Sequence, residues 1–173
     1  MKYLLSVILY SMSFTQNISF YDKDGESFAD INLDNFIFNC RVAGLENEGE
    51  AVILLHGFPE TSRMWYQLIP ILANDGFKVI APDQRGYSQG ARPSKISDYT
   101  IDKLSKDIID IADAFQLEKF HLIGHDWGSA VGWYTVSINA DRVISWTALS
   151  VPHLDAFFES INNDKEQQRK SQY

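Results

Sequence analysis

The chain has 173 residues, ordinary apolar content, many aromatic residues and a net charge of −8. This length suits one domain with a real core, and the composition excludes a largely disordered chain. No dense basic patch occurs in the sequence, which argues against a nucleic-acid partner, because phosphates demand clustered lysine and arginine. Cys40 is the only cysteine. We therefore predict no intrachain disulfide and no cysteine-based metal site. We also expect no cofactor.

The N-terminus predicts an export signal. Lys2 is followed by an apolar run from Tyr3 to about Phe14, which is too short to span a bilayer and has the size of a signal-peptide core. Ser13 and Thr15 are small enough for a nearby cleavage site. We expect residues 1–15 to be a signal peptide, and the mature protein to be periplasmic or secreted without a membrane span. The alternative is a first strand or an extension on a cytoplasmic protein.

Apolar runs predict the order of the elements. Residues 29–33 and 36–42 alternate with period two around a short turn, which indicates an antiparallel hairpin. Continuous apolar runs predict four strands buried on both faces, at 51–56, 77–83, 119–125 and 142–150. Helices are predicted at 62–72, where Pro70 breaks the helix or starts a second turn, at 100–115 with Thr100 or Ser97 as cap, from 127 to about 138, and from 155 onwards. This order predicts an α/β fold with a mostly parallel sheet flanked by helices.

The loop after the third predicted buried strand carries an acid between two glycines. Gly124-His125-Asp126-Trp127-Gly128 has the small-x-acid-x-small form of a nucleophile elbow, a strained turn between a strand and a helix. Glycine is expected at both ends because a side chain there would collide with the neighbouring strand or helix. The alternative is that Asp126 is only a helix cap, a role that aspartate fills well.

A second loop, at residues 56–59, favours the catalytic interpretation. His56-Gly57-Phe58-Pro59 follows a predicted buried strand at the place of an oxyanion loop. Such a loop supplies a backbone N–H that pairs with the N–H of the residue after the nucleophile. The predicted donors are the amides of Phe58 and Trp127.

Together these motifs resemble the α/β-hydrolase superfamily, and within it the epoxide hydrolase and haloalkane dehalogenase branch. The similarity runs from about residue 30 to 153 and rests on HGFPETSRMW, PDQRGYSQGARP, GHDWGS and SVPH. The resemblance implies that Asp126 attacks carbon to form an alkyl-enzyme ester, which a histidine-activated water then hydrolyses. It also implies a small apolar organic substrate.

The chemistry of a carboxylate agrees with that mechanism. With an ordinary pKa of about 4, it is ionised at neutral pH and attacks a saturated carbon without a base. The HGxP pattern of Phe58 and Pro59 favours an epoxide over a halide, although Trp127 could donate its indole N–H to a halide. A serine-type esterase is disfavoured because the elbow holds no serine. A non-catalytic binding protein of this fold is the remaining alternative.

The sequence departs from the family pattern at its end. We expect residues 16–152 to form the N-terminal part of the hydrolase core and 153–173 to start a cap. The usual catalytic histidine and acid would then lie beyond the chain, which predicts an incomplete fragment that cannot turn over. Asp155 is the one nearby candidate for the acid. The strand at 142–150 would be left as an exposed apolar edge.

The remaining polar and aromatic residues of the motifs are expected to be structural. None of the other three histidines is a good candidate for the base: His121 is expected to be buried and hydrogen-bonded, His125 to point to the opposite face from Asp126, and His153 to lie at the strand–cap junction. Asp83, Arg85 and Ser88 are expected to brace the turn beneath the site. Four aromatic residues are expected to pack in the interior, namely Trp65, Tyr66, Trp133 and Trp146.

Overall fold

The computed structural model describes residues 18–172. The predicted signal peptide at 1–15 lies outside these residues. One seven-stranded sheet has the order β1-β2-β3-β5-β4-β6-β7. Its strands are β1 (Ile18–Lys23), β2 (Glu26–Leu33), β3 (Phe36–Ala43), β4 (Ala51–Leu55), β5 (Lys78–Pro82), β6 (Phe120–His125) and β7 (Val143–Leu149). The α-helices are α1 (Leu68–Asn74), α2 (Ile101–Ala114), α3 (Trp127–Ile138), α4 (Leu154–Asn163) and α5 (Lys165–Lys170).

The sheet is antiparallel at its beginning and parallel where the site lies. Strands β1, β2 and β3 pair as consecutive hairpins, and β3 also pairs antiparallel with β5. The pairs β4–β5, β4–β6 and β6–β7 are parallel. The predicted α/β class and the β2–β3 hairpin are confirmed. Strand β1 was not predicted, because nearly all its residues are exposed and its sequence carries no alternation of buried and exposed positions.

Helices cover the sheet on both faces. Side chains of α2 and α3, such as Ile108, Ile111 and Val131, join one buried cluster. On the other face, Trp65, which precedes α1, and Ile69 of α1 belong to a second buried cluster. This cluster also contains Val52 and Leu54 of β4. Within residues 18–172, no helix is long and apolar enough to cross a membrane.

The helix predicted at 62–72 is two pieces. A 3-10 turn at Ser62–Trp65 precedes α1. Pro70 lies in the first turn of α1, where its missing N–H costs no intrahelical hydrogen bond. Trp65 is buried as expected, whereas the packing prediction for Tyr66 was wrong, since it is 56% exposed. Thr100 occupies the predicted cap position of α2, but its side chain makes no capping hydrogen bond.

The prediction that four strands are buried on both faces holds for β4 and for all but the first residue of β5, and it fails for β6 and β7. Every residue of β4 is buried, whereas β6 alternates between buried and half-buried positions. Within the described chain β7 pairs only with β6 and has no buried residue. This strand is the exposed apolar edge that was expected at residues 142–150. Trp146 of β7 is half-buried and packs edge-to-face on Trp133, with ring centroids 5.7 Å apart.

Candidate active site

The turn between β6 and α3 holds Asp126 in an unusual backbone conformation. Its φ of 53° and ψ of −122° are rarely adopted by a residue with a side chain, and such strain persists only where surroundings enforce it. A side chain at Gly124 would come within 2.5 Å of the Gly128 carbonyl oxygen. One at Gly128 would come equally close to the carbonyl oxygen of His56. The two glycines therefore let the turn press against the end of β4.

The carboxylate of Asp126 is held from the neighbouring loop and not by its own helix. Asp126 sits at the cap position of α3 but makes no capping hydrogen bond. Instead its Oδ1 accepts the backbone N–H of Phe58 at 2.8 Å. Gly57 allows this approach, because a Cβ there would lie 2.6 Å from the same oxygen. The capping alternative is therefore not the arrangement that the structure shows.

His56 anchors the loop that carries Phe58. Its ring is fully buried, and Nε2 accepts the backbone N–H of Gln84 at 3.0 Å. The ring proton is then on Nδ1, which donates to the Gly57 carbonyl at 3.0 Å. Burial lowers the pKa of His56 and so favours this neutral form. The Gln84 side-chain amide also donates to the His56 carbonyl, so two hydrogen bonds fix the loop to the end of β5.

Tyr87 lies beside both loops and was not singled out from the sequence. Its ring packs edge-to-face on His56, with centroids 4.6 Å apart. Burial raises the pKa of Tyr87, and the charge of Asp126 adds to the effect. The phenol therefore stays neutral near the carboxylate.

Ser129 ties the elbow to the edge strand. It is fully buried, and its Oγ donates to the Gly124 carbonyl at 2.6 Å. The backbone N–H of Leu149 donates to the same Oγ at 3.1 Å. The sequence offered no signal for this role, because the partner on β7 is 20 positions away.

Two exposed aromatic side chains neighbour the carboxylate. Phe58 is 67% and Trp127 is 63% exposed. Trp127 is the first residue of α3, so its backbone N–H has no partner within the helix. The surroundings of Asp126 thus combine apolar surface with amide groups suited to a negatively charged oxygen.

The residues expected to brace the turn beneath the site make the contacts that such a role requires. Arg85 holds Asp107 through two hydrogen bonds, of 2.6 and 2.7 Å. Asp83 accepts the backbone N–H of Ser62 at 2.7 Å, and its carbonyl accepts the Ser88 hydroxyl at 2.9 Å. This network keeps the loop after β5 in place around Gln84 and Tyr87.

No hydrogen bond joins the other three histidines to the Asp126 carboxylate among the described residues. His121 is half-buried rather than buried, and it bonds to Ser145 and Glu50. His125 has a buried Nδ1 without a hydrogen-bond partner among the described residues. His153 accepts the Asp155 backbone N–H at 3.3 Å, and the Asp155 side chain is 95% exposed. Residues 18–172 contain no cluster of three or more His, Cys, Asp or Glu that could hold a metal ion.

Comparison with known proteins places the chain in a family. The family model described as alpha/beta hydrolase fold matches residues 50–172. An AB hydrolase superfamily protein of Bacillus subtilis is 40% identical over 130 residues, covering 75% of this chain and 45% of the relative. Epoxide hydrolase A of Mycobacterium tuberculosis is 47% identical over 103 residues, covering 60% and 32%. The chain thus spans less than half the length of these relatives.

Solved structures agree with the sequence relatives. An epoxide hydrolase from metagenomes of hot environments is 34% identical with a TM-score of 0.77, covering 84% of this chain and 49% of that one. The epoxide hydrolase VrEH1 of Vigna radiata is 32% identical with a TM-score of 0.67, covering 79% and 41%. With the family model matching most of the chain, the protein belongs to the α/β-hydrolase fold family.

Proposed function

We propose that the chain is an epoxide-hydrolase-like hydrolase whose Asp126 attacks a saturated carbon and forms an alkyl-enzyme ester. The observation that carries the proposal is the 2.8 Å hydrogen bond from the Phe58 N–H to Asp126 Oδ1 in a strained elbow. Relatives named epoxide hydrolases support the choice of epoxide.

The two carboxylate oxygens of Asp126 then have different roles in the reaction. Oδ1 is held by the Phe58 amide, so Oδ2 attacks the epoxide carbon. The bond between that carbon and the ring oxygen breaks, and the oxygen, still bound to the neighbouring carbon, takes a proton from solvent water and becomes a hydroxyl group. A carboxylate suits this displacement because it is ionised without a base at neutral pH.

The amides of Phe58 and Trp127 act in the second half-reaction. After alkylation Oδ1 is the carbonyl oxygen of the ester, and it becomes negatively charged when water attacks the carboxyl carbon. Two N–H donors would stabilise that charge. The exposed aromatic side chains of the same two residues would contact a small apolar substrate.

We further propose that the ester accumulates on this chain. Among residues 18–172 the imidazole of His56 is fully engaged with Gly57 and Gln84. None of the four histidines has a hydrogen bond to Asp126 there. Water activation would then be slow relative to alkylation.

The test is incubation with styrene oxide followed by intact-mass spectrometry and peptide mapping. One adduct per chain, on Asp126, is expected, and Asp126→Asn should abolish it. Asp34→Asn is a matched control, since Asp34 also has a positive φ, of 51°, but lies in a hairpin turn. This variant should leave the adduct unchanged. A folded chain without an adduct would contradict the proposal that Asp126 is the nucleophile. Sustained production of the diol would contradict the proposal that the ester accumulates.

A second candidate substrate is an alkyl halide. The supporting observation is the exposed indole of Trp127 directly after Asp126, a possible donor to a leaving halide. Incubation with 1-chlorobutane and measurement of released chloride distinguishes the two. An adduct from the chloroalkane but none from styrene oxide would favour this candidate.

A further inference from the structure

A chain of three polar side chains lies at the other end of the parallel strands. Ser145 Oγ is 2.7 Å from His121 Nδ1, and His121 Nε2 is 2.8 Å from Glu50 Oε2. His121 and Ser145 are direct neighbours in the β6–β7 register. Glu50 immediately precedes β4. The three groups thus lie near the amino ends of the strands, whereas Asp126 follows the carboxyl end of β6.

The hydrogen bonds define the proton positions in the neutral imidazole. The ionised carboxylate of Glu50 only accepts, so Nε2 carries the ring proton. Nδ1 is then an acceptor for the Ser145 hydroxyl. A nucleophile within reach of a base that a third group orients is the arrangement that activates a hydroxyl for attack.

The imidazole is fixed while the serine is open to solvent. Phe77 packs edge-to-face on the His121 ring at 5.7 Å and 84°. The His121 side chain is 20% exposed, whereas Ser145 is exposed. The β6–β7 register skips Ile144 beside Ser145. Such irregularities redirect side chains and leave peptide groups outside the ladder.

We infer that Ser145, His121 and Glu50 form a second nucleophilic site, distinct from Asp126, that accepts an acyl group from activated carboxylic esters. Ser145 Oγ attacks the carbonyl carbon while its proton passes to His121 Nδ1. The tetrahedral intermediate then expels the alkoxide or phenolate, which takes the proton from His121 and is released as the alcohol or phenol. The product is an acylated Ser145, and no oxidant or cofactor is needed.

Reaction with p-nitrophenyl acetate tests this inference. The wild-type chain should gain one acetyl group on Ser145, with stoichiometric release of p-nitrophenolate. Ser145→Ala should abolish this label. His121→Gln should slow it about 100-fold, the lower end of what a general base contributes, and Glu50→Gln should also slow it through loss of the orienting charge.

Ser27→Ala is the matched control. Ser27 is an exposed-site serine that donates to the Asp22 carboxylate at 2.7 Å but has no imidazole partner, so its removal should leave the labelling rate unchanged. Circular dichroism melts of each variant establish that the fold is retained. Acetylation spread over many serines and lysines, or an unchanged rate in a folded His121→Gln, overturns the inference and makes the three side chains a structural hydrogen-bond network only.

Discussion

Strands β4 and β7 have similar uncharged sequences and opposite surroundings. β4 lies between two parallel neighbours and buries all its residues, whereas β7 is an edge within the described chain and buries none. The elbow presses on the end of β4 through Gly128, but it reaches β7 through the side chain of Ser129. An apolar run therefore indicates a strand, and the position of that strand in the sheet decides how much each of its side chains contributes to folding stability.

Replacing a leucine by alanine in each of the two strands should give the largest difference in unfolding free energy. Leu54→Ala removes a fully buried side chain and should cost about 3 kcal/mol of unfolding free energy through lost burial and a cavity. Leu149→Ala, at a 40% exposed position, should cost less than about 1 kcal/mol. Urea denaturation of both variants measures the difference, and equal losses would contradict the contrast.

Adding a methyl group to α3 should have a somewhat smaller effect that again depends on the neighbour. Gly128→Ala pushes against backbone oxygens of Leu55 and His56, and should cost about 2 kcal/mol. For Gly132→Ala the nearest atoms belong to the indole of Trp146 on β7, a side chain that can shift more readily than backbone, so this variant should lose less stability.

The same pair of variants should separate the alkylation rates. Gly128→Ala displaces Asp126 from the Phe58 amide and should slow the reaction with styrene oxide more than Gly132→Ala does. Intact-mass time courses measure both rates. The reverse order would mean that the elbow tolerates a side chain against β4.

The buried end of β4 should also make stability depend on pH. Because the folded-state pKa of His56 is lowered by burial, its contribution is present above the unfolded value of about 6.5 and is lost as pH falls below it. Urea unfolding at about pH 7.5 and about pH 5.5 should show lower stability at the lower pH. NMR should find that the His56 ring takes up its proton at a lower pH than an exposed histidine does, and a pKa at or above the ordinary value of about 6.5 would contradict the prediction.

The smallest change in folding stability is expected at the edge. Thr147 is exposed on β7, so Thr147→Lys should alter the unfolding free energy by less than about 0.5 kcal/mol. A charge on a free strand edge opposes pairing with another chain. Light scattering at high concentration should therefore show less association for the variant, and unchanged association would mean that β7 is not the contact.

The sequence predicted the parts of the fold and site that depend on local patterns. The hairpin around Asp34, buried β4 and the turn at Asp126 each follow from a few adjacent residues. The sequence did not single out three residues near the site, namely Gln84, Tyr87 and Ser129. Each contacts a partner at least 20 positions away in the chain, which no local pattern reveals. The edge position of β7 was foreseen only from the resemblance. The second donor, the Trp127 amide, stays a prediction.

The hydrogen bond between Phe58 and Asp126 also has a consequence for folding order. The two residues are 68 positions apart, whereas the hairpins of β1, β2 and β3 join near neighbours. Closing so long a loop is entropically costly before native contacts offset the loss, which makes such pairings slow. The β4–β6 ladder supplies those contacts. Asp126 and the Phe58 amide are therefore expected to meet only as that ladder forms, so the geometry proposed for catalysis should be among the last features that the folding chain acquires.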